Sequence, residues 1–472
     1  MNAEVSVQML QHLRRPGALK ALFQKQEKAS QKRICIDYSS PNIAKRFHIG
    51  NLRSTLIGRY LDTTNRLIGN AVTSVNYLGD WGNQFAMISV FWPQMRPSDQ
   101  YWKGLSDEEK IKMLTDCYVI ANKNMKTDED FRNAVHQQFI EMENAMLVGN
   151  ASADCFKLWG QIREISMKHL KEFYTMFDVK FDRYMHESSR VRMAHKIVQD
   201  LIDKKIVENL DGRLIVNTGD KNNDKDNGYA IVRKSNSTSL YLTREIAAVL
   251  ERDDFFKADK YLYVVDRAQR QHFRALKIIL EKMGKEDLAE KVEHVQYGRV
   301  RGLSTRNGRT EAISKVLSIS TVIFNELKRA RNSEYEFSFQ NAFALNQNNA
   351  LALQIKHSRL SSIETKNEHL LPFVDECKEF PRVDVNDDVK KLVFLLEQVE
   401  KSIETSIEKF EPCQLTVQLI QIAQTVATVQ NQLRVRDQPT DIAVPRYLLF
   451  SATRNVLAEG MKLLGMTPAR NM

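Results

Sequence analysis

The chain has 472 residues, 43% of them hydrophobic, with 18 Gly and 10 Pro, which excludes a disordered or collagen-like protein and suffices for two or three cored domains. No uninterrupted apolar segment approaches the roughly 20 residues of a membrane-spanning helix, so no membrane partner is expected. The formal charge of +10 suits a polyanionic partner, and five scattered cysteines without a C-x-x-C pair argue against a disulfide framework or a zinc site.

The first 32 residues are basic and partly apolar. Val5 to Phe23 carries Arg14, Arg15 and Lys20, and Glu4 is the only acid before Glu27. Such a start fits a mitochondrial transit segment, and equally a surface helix that packs on the domain behind it. Residues 34–38 and 71–78 then read as strands flanking an apolar-periodic helix at 50–69, a β-α-β unit. Tyr261-Leu262-Tyr263-Val264-Val265 and Val292-Glu293-His294-Val295 read as further strands around a helix at 268–284. Together these predict an α/β fold with a doubly wound parallel sheet, interrupted by a charged helical insertion from about 93 to 190. Residues 217–228 form a polar loop whose acids lack the spacing of a calcium site. From about 315 the chain is nearly all helical, with amphipathic runs at 346–365, 386–409, 414–434 and 444–465 that predict a bundle. A basic bundle serves nucleic-acid binding or dimerisation equally well.

The junction after the first strand carries the most chemistry. Asp37-Tyr38-Ser39-Ser40-Pro41-Asn42 turns through Phe47-His48-Ile49-Gly50-Asn51 straight into the helix. A strand that enters a helix in this way points backbone N–H groups at an anion, with Gly50 admitting a phosphate and His48 adding a donor. The plainer alternative is an ordinary helix start in which His48 satisfies a buried neighbour.

Segment 37–58 resembles the nucleotide-binding signature of class I aminoacyl-tRNA synthetases in its arginyl form, S-S-P-N-x-A-K-x-F-H-x-G-H-L-R-S-T, and departs from it at one fixed position. The resemblance continues in N-Y-L-G-D-W-G at 76–82, Y-L-T-R at 241–244 and S-T-R-N-G at 304–308. It then runs from Gln354-Ile355-Lys356-His357-Ser358-Arg359 to Leu463-Leu464-Gly465. L-R-V-R-D at 433–437 and G-M-K-L-L-G-M-T-P at 460–468 are most like the mitochondrial branch.

The resemblance implies a Rossmann-type catalytic domain over 33–314, an all-α anticodon-binding bundle over 315–472, and an N-terminal extension at 1–32. It implies an arginine–tRNA ligase with ATP, L-arginine and tRNA-Arg as partners, ATP entering as a substrate with Mg2+, and no permanent cofactor. A monomer in the mitochondrial matrix is expected, with the cytoplasm as the alternative location. The competing reading is a tRNA-binding relative of such an enzyme with impaired catalysis.

Residue by residue, the resemblance assigns Lys45, His48, Gly50, Asn51 and Ser304 to ATP binding, and Lys45, His48, Asn51, Ser304 and Arg306 to catalysis. Asn51 stands where the family has a second His. The second signature is Arg301-Gly302-Leu303-Ser304-Thr305-Arg306, from which Ser304 and Arg306 are assigned to catalysis. Its missing lysine is replaced, as in other arginyl enzymes, by one before the first signature, here Lys45. Asp37 and Glu245 are the expected acids around the substrate guanidinium, reversed from the family's Glu and Asp, with Asn42, Tyr241 and Gln269 completing the pocket. His272 shares a helix face with Gln269 and fits a core histidine equally. No ligand contact is assigned to Tyr77 through Gly82. Two further departures are a shorter connection after Thr310 and Ala350-Leu351-Ala352 in place of Gly-Pro-Tyr.

Overall fold

The computed structural model describes residues 3–23, 31–43, 47, 49–150, 152–219, 228–301, 315–336, 338 and 349–470. The chain divides into two compact units, one comprising residues 33–55 and 73–296, the other residues 1–32, 56–72 and 297–472. In chain order the elements are α1 Ala3–Leu13, α2 Ala18–Phe23, β1 Arg33–Asp37, α3 Ile49–Leu67, β2 Ala71–Leu78, α4 Asn83–Met95, α5 Asp99–Gly104, α6 Asp107–Thr127, α7 Glu129–Val148, α8 Cys155–Met176 and β3 Arg183–His186. There follow α9 Val191–Asp203, β4 Glu208–Leu210, β5 Arg213–Asn217, β6 Tyr229–Arg233, α10 Tyr241–Phe256, β7 Lys260–Asp266, α11 Arg270–Lys282, α12 Glu286–Lys291 and β8 Val292–Tyr297. The remainder is β9 Val300–Arg301, α13 Lys315–Leu327, β10 Tyr335–Glu336, α14 Ala350–Lys366, α15 Asp387–Glu397, α16 Val399–Glu408, α17 Cys413–Gln432 and α18 Thr440–Leu464.

The first unit is built on a five-stranded parallel sheet of order β3-β2-β1-β7-β8 among the described residues. β1 and β7 sit at its centre, in register from Ile34 opposite Lys260 to Asp37 opposite Tyr263. Both are apolar on successive residues because helices cover both faces of the sheet. Strand order reverses between β1 and β7, and the carboxyl ends of those strands therefore open a crevice, the place where doubly wound sheets bind ligands. α9, α10 and α11 cover one face, with Ile197, Leu201, Ile246, Ala247 and Leu276 in the core. α9 buries Val191, Ala194, Ile197, Val198 and Leu201, one stripe at helical spacing.

Two elements differ from the sequence reading. The segment from 93 to 190 is helical only as far as Met176; Arg183–His186 is β3, the sheet's edge strand, paired parallel to β2. Its R-Y-M-H sequence lacks alternation because an edge strand buries little. β4, β5 and β6 form a separate antiparallel sheet among the described residues. The polar loop at 217–228 lies mostly outside the described residues.

In the second unit α14 to α18 pack as a helical bundle. The run at 386–409 is two helices, α15 and α16, which meet at Gln398 (φ −80°, ψ −2°). An added Cβ on Gly460 would fall 2.6 Å from Leu419 Cδ2, so glycine there lets α17 and α18 approach closely. α1 and α2 pack on α18 through Val7, Leu10, Leu13, Leu19 and Phe23, all buried. The packing partner of the N-terminal helix is thus the C-terminal helix, where the surface-helix reading had it on the domain that follows in sequence. Apolar spacing reveals a buried face but not what covers it. No helix among the described residues is long and apolar enough to cross a membrane.

Candidate active site

The turn leaving β1 is unusual backbone. Ser39 (φ 68°) and Ser40 (φ 36°) are both left-handed, a conformation that costs a non-glycine residue on the order of 1 kcal/mol or more. Hydrogen bonds over-determine it. Ser39 N donates to Ser54 Oγ at 2.9 Å, and that hydroxyl donates to Val264 O of β7 at 2.6 Å. Ser39 Oγ lies 2.8 Å from Tyr174 OH, which in turn accepts from Asn76 Nδ2 at 2.8 Å. The chain then bridges to the end of β2: Gly79 N donates to Pro41 O, and Ile43 N to Gly79 O. Asn42 is exposed at this bridge.

Asp37 and Glu245 converge here, from the end of β1 and the second turn of α10. Between them stands Arg252, two turns further along the same face of α10. Its Nη2 is 2.7 Å from Asp37 Oδ2 and its Nη1 is 3.5 Å from Glu245 Oε1. Asp37 Oδ1 accepts from Ser40 Oγ. The sequence reading placed the two acids across a substrate cation and had no internal guanidinium between them. Arg244 pairs with Glu187 at 2.7 Å, and Arg190 with Glu251 at 2.5 Å. Three guanidinium groups therefore meet four carboxylates, and Glu245, with only the longest of these contacts, is the surplus one.

Burial, with Arg252 opposing it, pushes the Asp37 carboxyl above its ordinary range. Burial also raises Glu245 to about 7, helped by Asp37 and Glu187 and opposed by Arg252 and Arg190. Among the described residues, Glu245 Oε1 and Tyr263 Oη are buried without a hydrogen-bond partner. Orphaned polar atoms gathered at one point in a strand-end crevice mark a place prepared for a polar guest.

Tyr241, at the start of α10, is exposed and stacks on His272 of α11 with ring centroids 5.1 Å apart. Burial, reinforced by His294, pushes His272 down to about 4, so the imidazole is neutral at physiological pH. Gln269 is exposed in the turn between β7 and α11. Gly50 and Asn51 occupy the first turn of α3, where Asn51 O accepts from Thr55 Oγ1 at 2.7 Å. Lys45, His48, Ser304 and Arg306 lie outside the described residues.

The 76–82 motif organises the end of β2. Asp80, fully buried, accepts from Ser188 N and Oγ at 2.8 and 2.9 Å and faces Arg163 and His186 at 3.4 and 3.2 Å. Its carbonyl takes the Trp159 indole N–H at 2.7 Å, and Trp81 packs on Phe139, Phe156 and Trp159. Asp80, Glu187, Arg244 and Arg252 were not singled out for roles in the sequence. For the two arginines the available signal was their place beside Glu245 on one helix. Among the described residues no group of three or more His, Cys, Asp and Glu is arranged to hold a metal ion, and Cys35, Cys117, Cys155, Cys377 and Cys413 are all free.

The reversed strand order, the signature turn at its switch point and the helical bundle that follows in sequence define a class I aminoacyl-tRNA synthetase, an aminoacyl-tRNA ligase. Residues 17–318 match the family model for the class I (R) tRNA synthetase catalytic domain, and residues 353–472 match the DALR anticodon-binding domain. The chain belongs to the arginyl-tRNA synthetases. It is 31% identical to an arginine–tRNA ligase of Encephalitozoon cuniculi, across 93% of this chain and 80% of the relative. It is 30% identical to a probable mitochondrial arginine–tRNA ligase of Bos taurus, across 94% and 79%. Ligases named as cytoplasmic match as well. The crystal structure of Plasmodium falciparum arginyl-tRNA synthetase shares the fold at a TM-score of 0.74 and 22% identity, over 96% of this chain and 82% of that one.

Proposed function

We propose that the chain activates L-arginine with ATP in the β1–β7 crevice and transfers the arginyl group to the 3′ end of tRNA-Arg. In the first step a carboxylate oxygen of arginine attacks the α-phosphate and pyrophosphate leaves. In the second a terminal ribose hydroxyl of the tRNA attacks the carbonyl carbon and AMP leaves. The nucleophile of the first step is already an anion, so positioning and charge stabilisation carry more of the catalysis than proton transfer.

The convergence of Asp37 and Glu245 on one point, with one carboxylate in surplus, is the observation that supports this reading. A buried guanidinium needs a carboxylate facing it, and Glu245 has capacity to spare. Asn42 is placed in the reading to hold the α-amino or carboxylate group, with Tyr241 and Gln269 closing around the side chain. Lys45, His48, Gly50, Asn51 and Ser304 bind the nucleotide, and Lys45, His48, Asn51, Ser304 and Arg306 serve catalysis, with Mg2+ arriving on the nucleotide. ATP–pyrophosphate exchange with arginine, with and without tRNA, tests the assignment. Exchange that depends on arginine and tRNA is expected; none under either condition would favour the impaired tRNA-binding relative.

The helical domain from 315 is assigned to the anticodon side of the tRNA, supported by its DALR match. The enzyme is proposed to act as a monomer in the mitochondrial matrix, with support from the 433–437 and 460–468 segments and from relatives named as mitochondrial. Light scattering of purified protein and cell fractionation test these two points.

A further inference from the structure

Arg252 stands between the two arginine acids, and the reaction gives it no task. It is fully buried and lies over the rings of Tyr77 and Tyr263, with centroids at 5.0 and 5.2 Å. It reaches Asp37 with one terminal nitrogen and Glu245 with the other. None of its three side-chain nitrogens makes an aligned hydrogen bond among the described residues. A guanidinium anchored for structure ordinarily engages a carboxylate with a fork of parallel bonds. This one is held by charge and by aromatic faces, so its position depends on the two acids and theirs on it.

The charge balance follows from the same geometry. Asp37 and Glu245 alone would be two buried carboxylates in one site, and one of them would retain a proton. With Arg252 between them both can ionise, and the trio carries a net charge of −1. One incoming cation brings that to zero. A second cation, or a neutral side chain of the same shape, leaves a buried charge uncompensated.

We propose that Arg252 is a positioning residue for the amino-acid site, fixing Asp37 and Glu245 relative to each other and leaving them the single negative charge that a cationic side chain completes. The proposal rests on the reading of Asp37 and Glu245 as the arginine acids and adds the source of their charge selectivity. Arg252 touches no reacting atom; it acts through the two carboxylates.

The test is ATP–pyrophosphate exchange with the full chain and cognate tRNA, comparing wild type with Arg252→Met and Arg252→Lys. Met keeps the bulk of the stem and removes the charge; Lys keeps the charge without the planar fork. The expected result is an arginine KM raised about tenfold or more in Arg252→Met, an ATP KM within about twofold of wild type, and substantial recovery in Arg252→Lys. An arginine KM in folded Arg252→Met within about twofold of wild type overturns the proposal. So does a parallel rise in both KM values that Arg252→Lys fails to relieve, the mark of a general structural lesion. If Arg252→Met does not fold, Arg252→Gln, neutral but able to hydrogen-bond both carboxylates, takes its place: a rise confined to the arginine KM supports the proposal, and an unchanged or non-selective KM removes it. Wild-type protein without arginine-dependent exchange would instead sink the underlying site reading, and this inference with it.

Discussion

A Cβ added to Gly79 would fall 2.1 Å from the Oδ1 of Asn42, closer than any side-chain contact allows. The glycine at the end of β2 is therefore what lets the Asn42 amide lie where it does. Gly79→Ala should turn that amide out of place, since the far end of Asn42 gives more easily than the backbone bridge between the two residues. The expected stability loss is modest, about 1–2 kcal/mol of overpacking, whereas the arginine KM should rise well beyond what such a loss explains. Thermal unfolding and exchange kinetics on the same preparation separate the two effects. An unchanged KM would show that Asn42 holds no part of the substrate.

Arginine binding should release a proton near neutral pH. Glu245, raised to about 7 mainly by burial, is faced by Arg252 from its own helix, and by Asp37, Tyr77, Tyr263, Glu187 and Arg190 from the elements around it. Because its pKa is raised in the free protein, Glu245 is protonated below that value and ionised above it. A guanidinium favours the ionised form, so affinity should rise with pH through about 7 and level off above it. One pH unit below that value, about a tenth of the sites are ionised and affinity should fall about tenfold. Calorimetry of arginine binding in two buffers of different ionisation heat would count the proton, and Glu245→Gln should abolish both the proton and the pH dependence. A pH-independent wild-type affinity between 6 and 8 would count against Glu245 as the partner of the cation.

The central strands were legible because parallel strands covered on both faces must be apolar without alternation, as Ile34, Cys35 and Ile36 are. The switch-point crevice follows from the strand order of the folded sheet, which places β7 beside β1. β3 was not legible, since an edge strand of four residues leaves almost no pattern. Arg252 was missed for a different reason. In E-R-D-D at 251–254 a basic residue among acids reads as a solvated helix face, and only the tertiary fold shows that this arginine points inward. The family resemblance points to Asp37 and Glu245 singly; a charge that neutralises them from the helix of Glu245 is a property of the packed cluster.

The reversal of acid lengths at 37 and 245 should behave as a compensated pair. Asp37 is held on one oxygen by Ser40 and on the other by Arg252, so Asp37→Glu drives an extra methylene into a filled site. Glu245→Asp withdraws a carboxylate whose contact with Arg252 is already 3.5 Å. Each change alone should weaken arginine binding, by about tenfold for groups that share a buried charge network, and the double change should lose less than the product. A double-mutant cycle on arginine affinity measures the coupling. Losses that simply multiply would show that the two side chains do not serve one ligand.

The N-terminal helices should be a structural part of the bundle unit. Glu459 of α18 accepts from Gly17 N at 2.5 Å and Leu19 N at 2.9 Å, satisfying amides at the start of α2. Asn455, one turn earlier, donates to Leu13 O and Arg15 O at 2.8 Å each, at the end of α1. Both are side-chain caps on helices too short to hold their shape alone, so removing one should loosen the whole hairpin. Glu459→Ala should cost about 1–3 kcal/mol, the range for hydrogen bonds to a charged acceptor, and Glu459→Gln less. Amide exchange should quicken across α1 and α2 before it does in β1 or β7, because the lesion is confined to the helical unit. Deleting residues 1–23 should go further and uncover the apolar face of α18 that Val7, Leu10 and Leu19 bury, producing a protein that associates on warming. Unchanged thermal unfolding after that deletion would mean the hairpin rests on the bundle without stabilising it.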